Sequence, residues 1–100
     1  PNYYKKNNSS YHLSIININF KNKKKNKDKF FKYMLQKKIV LQYHYIPIHT
    51  FKVGKNISNK SKIFKNANSY FHNTVSLPIH YNLNYKDLRK VVSCIKKYLK

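Results

Sequence analysis

The clearest amphipathic pattern of the chain lies in the stretch VSLPIHYNLNYKDLRKVVSCIKKYLK, residues 75–100. Residues 75–77 predict a short strand, and Pro78 ends it because proline cannot donate to a β-ladder. Asn84 predicts a helix N-cap, with Asp87 placed to reach back as in a variant of the capping box. The helix that follows carries one apolar face, formed by Leu88, Val91, Val92, Ile95 and Leu99.

Two elements near the start of the chain show equally clear periodicity. Between Tyr11 and Phe20, apolar side chains alternate with asparagines over residues 16–20, which predicts a strand with one buried face. After a lysine-rich loop, a helix is predicted from Asp28 to about Lys38. The i, i+3, i+4 spacing predicts that its buried face consists of Phe31, Met34 and Leu35.

The middle of the chain completes an alternating pattern. Residues 39–48 are rich in β-branched and aromatic side chains and predict a second strand, which Pro47 places at a sheet edge. Residues 49–62 contain the only glycine, Gly54, and predict a loop. A short helix is expected next, with one face formed by Phe64, Ala67 and Phe71. The order of strand, helix, strand, helix, strand, helix predicts a two-layer α/β domain with helices packed on a short sheet.

Length and composition fit one small globular domain. The chain has 100 residues, of which 41% are hydrophobic, too many for a disordered tail. No apolar run approaches the roughly 20 residues that span a bilayer, so we expect a soluble cytoplasmic protein without a membrane partner. Because the chain begins with Pro1 rather than Met, we expect a processed or truncated chain. Residues 1–10 are polar, with clustered Asn and Ser, and are expected to form a linker. Lys100 is expected to be a natural C-terminus.

The net charge of +20 suggests a nucleic acid or an anionic surface as a partner. The basic residues are 21 lysines and Arg89, accompanied by 14 asparagines, and these lysine and asparagine residues share A/T-rich codons. Lysine does not reproduce the bidentate recognition that arginine gives. We interpret the charge mainly as solvated surface with non-specific affinity for polyanions. The alternative is a small basic nucleic-acid-binding protein, ribosomal-like in composition, whose Tyr and Phe side chains stack on bases.

The residue types present exclude several kinds of reactive site. Asp28 and Asp87 are the only carboxylates, and both fall at predicted helix starts, which excludes acid/base catalysis by a carboxylate pair within this span. Cys94 is the only cysteine and is expected to be a small packing residue. His44 and His49 would point to opposite faces of a straight strand, and no cysteine or carboxylate completes a shell, so no metal site is predicted.

Three segments, taken in order, resemble the DegT/DnrJ/StrS sugar aminotransferases, which are fold-type I pyridoxal-phosphate enzymes. The first is SYHL at residues 10–13, similar to the start of that family's small domain. The second and most specific is HYIPIH at residues 44–49, similar to the family's HYxPxH strand. The third combines FKNA at residues 64–67 with SLPI at residues 76–79 and the final helix. The resemblance covers about residues 10–100.

This resemblance implies that residues 11–100 are the small C-terminal domain of such an enzyme. Within the family they are most similar to the branch that aminates a UDP-linked 4-keto-6-deoxy sugar in pseudaminic acid biosynthesis, a route to cell-surface glycans. The family binds pyridoxal phosphate in a large domain that would precede Pro1, so no catalytic or cofactor-binding residue is assigned here. No lysine of this span is expected to be desolvated, and the fragment alone is expected to be inactive. The full enzyme is expected to be a homodimer that takes a UDP-sugar and an amino donor, glutamate.

By the same resemblance, His44, Tyr45 and His49 are candidate substrate-binding residues on the sugar-nucleotide side of the active site. The alternative is that these rings pack a domain interface with their polar ends satisfied. The sequence departs from the family at residues 50–53, TFKV, which replace a Leu-Gln-Pro-aromatic run, and at Asn68, which replaces an acidic residue. These departures bear on the identity of the substrate more than on the fold.

Overall fold

A computed structural model describes residues 10–57 and 64–100 of the chain. The predicted linker therefore lies outside the described residues except for Ser10, as does the end of the predicted 49–62 loop. The elements in chain order are β1 (Ser14–Asn17), α1 (Lys27–Gln36), a 3₁₀ turn (Ile48–Thr50), α2 (Lys52–Ile57), α3 (Lys65–Asn73), β2 (Thr74–Leu77) and α4 (Tyr85–Leu99).

The helices pack on a short antiparallel sheet made of β1 and β2, which confirms the predicted two-layer α/β class. In the sheet, Ser14 pairs with Leu77 and Asn17 pairs with Thr74. The predicted alternation in the first strand is also confirmed, because Ile16 packs against the core, Ile18 and Phe20 are buried, and the asparagines between them are exposed. Burial of this one face fixes the register of the strand, since a slip by one residue would expose it.

The predicted second strand over residues 39–48 is wrong except at one residue. Gln42 forms an isolated antiparallel bridge with Ser76, with N–O distances of 3.1 and 3.0 Å. Beyond this bridge, Pro47 has no amide hydrogen to donate, and its carbonyl accepts from the amide of Thr50 to form the 3₁₀ turn. The side chains have strand propensity, but such propensity needs a neighbouring strand to be realised.

The buried face of α1 differs from the predicted set of Phe31, Met34 and Leu35. Phe30 and Met34 are fully buried, whereas Leu35 is 62% exposed. The ring of Phe30 lies 5.6 Å from that of Phe20 and 5.0 Å from that of Tyr98 in α4. These aromatic contacts set the rotation of the helix about its axis, so Phe30 takes the core position and Phe31 packs at its edge.

Local hydrogen bonds fix both ends of α1. The N-cap is Asn26, whose side-chain oxygen accepts a backbone amide of the first turn at 2.9 Å, and Asp28 lies in that turn, where its charge meets the positive end of the helix dipole. At the other end Lys38 has φ 61°, and the amide of Ile39 donates to the carbonyl of Met34 at 2.9 Å. This is a Schellman motif. The predicted helix is confirmed, and its bounds shift because these caps define them.

Part of the predicted 49–62 loop is the helix α2. A Cβ added at Gly54 would overlap the carbonyl oxygen of Ile48 and lie 2.9 Å from Cα of His49. Gly54 therefore lets the helix backbone lie directly against the 3₁₀ turn. Close contact with the turn, rather than apolar periodicity, positions this short helix.

The last two helices follow the prediction more closely. The predicted helix after Phe64 is α3. In α4 the predicted capping box is confirmed, with the amide of Asp87 donating to Asn84 Oδ1 at 2.9 Å and the amide of Asn84 donating to Asp87 Oδ2 at 3.3 Å. Val91 is buried, and Cys94 packs against the core as expected. The predicted apolar stripe is wider than the buried face, because part of it is exposed, namely Leu88 and Val92.

Candidate functional site

The HYIPIH segment contributes one wall of a groove where the chain leaves the sheet. The groove has a volume of about 590 Å³ and is lined by Leu41, Gln42, Tyr43, His44, Tyr45, Ile46 and Phe51. Among these lining residues only Gln42 pairs with β2. The residues next to it leave the sheet and form the concave surface of the groove. Two of the three predicted substrate-binding residues, His44 and Tyr45, thus lie on the same groove.

The imidazole of His44 is held by the sheet below the groove. Its Nδ1 lies 2.7 Å from Oγ of Ser76, which belongs to β2 and is only 3% exposed. The ring also contacts Tyr45 edge-on, with ring centroids 4.8 Å apart. His44 is therefore fixed from two sides while remaining half-buried.

The aromatic surface of the groove is open to solvent. Tyr45 is 71% exposed, and Ile46 and Phe51 are also exposed. Phe51 belongs to the TFKV segment that departs from the resembled family, so this departure lies in the groove wall rather than on a remote surface. An exposed aromatic ring with a polar tip offers both a stacking face and a hydrogen-bonding hydroxyl to a ligand.

His49, the third predicted residue, has a different environment. It is 8% exposed, and its Nε2 lies 2.7 Å from Oδ1 of Asn68 in α3. Its ring stacks on Phe64, with centroids 4.7 Å apart and planes 12° from parallel. His49 does not line the groove and joins the 3₁₀ turn to α3. Its predicted part in substrate binding stays a prediction.

Sequence reasoning missed the two polar partners of these histidines. Ser76 stands within the SLP segment, and Asn68 differs from the acidic residue that resemblance to the family leads us to expect. Neither carries a local signal for its role, because each meets its histidine through the tertiary fold, across 32 and 19 residues respectively.

The expectation that no lysine is desolvated is wrong for Lys27. Its ammonium lies 4.7 Å from the ring centroid of Tyr43 and 4.6 Å from that of Phe71, and it donates to the carbonyl oxygen of Phe71. Burial lowers the pKa of Lys27 from its ordinary 10.5, against the opposing effect of the Asp28 carboxylate. Because its ammonium is already engaged by aromatic faces and a carbonyl, Lys27 ties α1 to α3 and we assign it no nucleophilic role.

The ring of Tyr43 forms the other side of this contact. It stacks on Phe31 with centroids 4.3 Å apart and planes 5° from parallel. Burial raises the pKa of Tyr43 above its ordinary 10.0, and the charge of Asp28 adds to the effect. The back of the groove is therefore a packed aromatic layer.

The described residues do not fit a pyridoxal-phosphate site. Such a site needs a lysine for the cofactor aldehyde, a carboxylate facing the pyridine nitrogen, and phosphate donors. Both carboxylates lie in the first turns of helices, and Asp87 is already engaged in its capping box. Within residues 10–57 and 64–100, moreover, no three His, Cys, Asp or Glu side chains come close enough together to hold a metal ion.

Comparison with known proteins agrees with the resemblance drawn from the three segments. The model of the DegT/DnrJ/EryC1/StrS aminotransferase family matches residues 2–96. The UDP-4-amino-4,6-dideoxy-N-acetyl-beta-L-altrosamine transaminase of Helicobacter pylori is 30% identical over 59 residues, which cover 59% of this chain and 16% of that protein. Among the helices that the structure describes, none is both long enough and apolar enough to cross a membrane.

Solved structures show the same relationship. Helicobacter pylori PseC, an aminotransferase involved in pseudaminic acid biosynthesis, superposes with a TM-score of 0.79 at 29% identity, covering 93% of this chain and 25% of PseC. The sugar aminotransferase Spr1654 of Streptococcus pneumoniae in its PMP form shares the fold, with a TM-score of 0.78 at 20% identity over 91% of this chain and 23% of that one. The chain thus spans a quarter or less of the length of these relatives. Since the family model matches almost all of it, the chain belongs to the DegT/DnrJ/EryC1/StrS aminotransferase family.

Proposed function

We propose that this chain is the small C-terminal domain of a pyridoxal-phosphate-dependent aminotransferase that acts on a UDP-linked keto-deoxy sugar. The observation that carries the proposal is the likeness to Helicobacter pylori PseC, which extends over 93% of the chain at 29% identity. In this proposal the cofactor is held by a large domain that precedes Pro1. The complete enzyme is a cytoplasmic homodimer that uses glutamate as the amino donor.

The groove defines what this domain contributes. Ligand sites form preferentially where two domains meet, and such sites are mostly apolar with a few well-placed polar groups. The groove has that composition, with exposed Tyr45 and Phe51 beside the imidazole of His44. We place it on the nucleotide-sugar side of the site, where Tyr45 stacks on the ligand, His44 donates a hydrogen bond, and both exclude water. Pyridoxal phosphate supplies the electron sink for amino transfer.

The reading frame upstream of Pro1 gives the first test. A large α/β domain with a lysine for the cofactor is expected there, and a stop codon or an unrelated domain would refute the proposal. The full-length protein should transfer the amino group of glutamate to a UDP-linked 4-keto-6-deoxy sugar. It should also show a cofactor absorbance band that reduction removes.

Substitution of Tyr45 by alanine tests the groove within that enzyme. Loss of one stacking ring should raise the KM for the UDP-sugar up to about tenfold, because aromatic contacts contribute roughly 0.5–1.5 kcal/mol beyond buried area. The matched control is Tyr81→Ala, since Tyr81 is 96% exposed and does not line the groove. An unchanged KM in Tyr45→Ala would place the nucleotide-sugar elsewhere.

A further inference from the structure

The contact between Ser76 and His44 is fixed by the sheet. The amide of Ser76 donates to the carbonyl of Gln42 at 3.0 Å, and its carbonyl accepts from the amide of Gln42 at 3.1 Å. The backbone of Ser76 is therefore held by its pairing with Gln42. From this backbone, Oγ of Ser76 lies 2.7 Å from Nδ1 of His44. The backbone pairing thus fixes the position of the Ser76 hydroxyl, and the imidazole ring of His44 takes the orientation that meets it.

Donor satisfaction decides which atom carries the proton between them. Ser76 is almost completely buried, and a buried hydroxyl that donates to nothing loses its solvation without compensation. In the part of the chain that the structure describes, Nδ1 of His44 is the only protein atom, side chain or backbone, with which this hydroxyl forms a hydrogen bond. If Nδ1 carried a proton, the Ser76 proton would have no acceptor. The hydroxyl therefore donates to Nδ1, and the neutral ring carries its hydrogen on Nε2.

Nε2 of His44 is the ring nitrogen that no described residue engages by a hydrogen bond. Across residues 10–57 and 64–100, the only fully buried side-chain nitrogen or oxygen without a partner is the Tyr33 hydroxyl. Nε2 of His44 has no hydrogen-bond partner among these residues either, so it reaches solvent. His44 lines the groove beside the exposed ring of Tyr45, and Nε2–H is the ring donor that His44 has left for a ligand.

We infer that Ser76 is a positioning residue that sets the tautomer and orientation of His44, so that Nε2–H donates to an acceptor oxygen of the nucleotide-sugar. This inference rests on the proposed function and deepens it. Nucleotide-sugars carry hydrogen-bond acceptors in their diphosphate oxygens and in the carbonyl oxygens of their base. The Nε2–H of a neutral imidazole can donate to either kind of oxygen without carrying a positive charge. The polar wall of the groove is thereby matched to an acceptor-rich ligand.

The tautomer is measured directly in the full-length enzyme labelled with ¹⁵N-histidine. Long-range ¹H–¹⁵N correlation spectra distinguish a protonated ring nitrogen from an unprotonated one, and His44→Gln assigns the signals. We expect His44 to carry its proton on Nε2, with the Nδ1 signal shifted in Ser76→Ala and restored in Ser76→Thr. Thr74→Val is the matched control, because it removes a hydroxyl of β2 that donates to the Tyr70 carbonyl at 2.7 Å and does not touch His44. A wild-type ring protonated on Nδ1, or an Nδ1 signal that Ser76→Ala leaves unmoved, would overturn the inference.

Kinetics test the link to the ligand. Ser76→Ala should raise the KM for the UDP-sugar about three- to tenfold with little change in kcat, because a single misplaced hydrogen bond weakens ground-state and transition-state binding alike. Ser76→Thr should retain the wild-type KM. A Ser76→Ala enzyme with the expected spectrum but unchanged KM would show that Nε2–H does not meet the ligand. If the wild-type enzyme neither binds nor aminates any UDP-sugar, the proposed function fails. The spectra then still decide whether Ser76 sets the tautomer of the His44 ring.

Discussion

Nε2 of His49 lies 2.7 Å from Oδ1 of Asn68, and this hydrogen bond closes the end of the HYIPIH segment onto α3. By the resemblance drawn from the sequence, an acidic residue is expected at the position of Asn68. Asparagine keeps one acceptor oxygen there without the charge, and the stacking of His49 on Phe64 completes the enclosure of the ring. The departure from the family thus falls at a structural contact.

Replacement of Asn68 by leucine should lower the free energy of unfolding by about 1–3 kcal/mol, because a buried imidazole N–H is left without an acceptor. Asn68→Asp retains an acceptor oxygen and is the matched control, with a smaller expected change. Urea unfolding followed by circular dichroism measures both. Equal stability of Asn68→Leu and the wild type would show that the hydrogen bond contributes little.

Replacement of Gly54 by alanine should destabilise the protein, although alanine is normally the better helix former by about 1 kcal/mol. The added methyl overlaps the Ile48 carbonyl, and overpacking of this kind costs about 1–3 kcal/mol. Val53→Ala in the same helix is the control, since Val53 is exposed. A gain in the urea midpoint for Gly54→Ala would contradict the close approach of α2 to the 3₁₀ turn.

Tyr43 should make the protein less stable at high pH. Because burial raises the pKa of Tyr43 above 10.0, the unfolded chain loses this proton first as the pH increases, and unfolding is favoured above that pH. Tyr43→Phe keeps the stacking on Phe31 and should remove this part of the alkaline loss. Unfolding free energies measured across that range test it, with the exposed Tyr81→Phe as the reference variant. Identical pH profiles for Tyr43→Phe and the wild type would contradict the prediction.

Lys27 should have the opposite effect on the same profile. Burial lowers the pKa of Lys27, so as the pH rises toward 10.5 the folded state releases this proton before the unfolded chain does. The difference in unfolding free energy between the wild type and Lys27→Met should therefore increase in favour of the wild type over that range. Lys29→Met, on the exposed side of α1, corrects for the loss of one charge. A difference that is constant with pH would show that Lys27 is not desolvated.

Elements whose signals are local can be predicted from the amino-acid sequence. The capping box of Asn84 and Asp87 lies within one helical turn, and the alternation over residues 16–20 records a single buried face. The three ordered motifs likewise identified the family. Each of these signals is contained within a few consecutive residues, so it can be recognised from the amino-acid sequence without the tertiary structure.

Contacts between segments that are distant in sequence could not be predicted in this way. Residues 39–48 have the composition of a strand, yet only Gln42 finds a partner in β2. Contacts with Phe20 and Tyr98 rotate α1 so that Phe30, rather than Leu35, points into the core. The pairing of His44 with Ser76 has no local signal at all. These outcomes depend on packing between segments distant in sequence, because the free energy of burial is realised only when both surfaces are present.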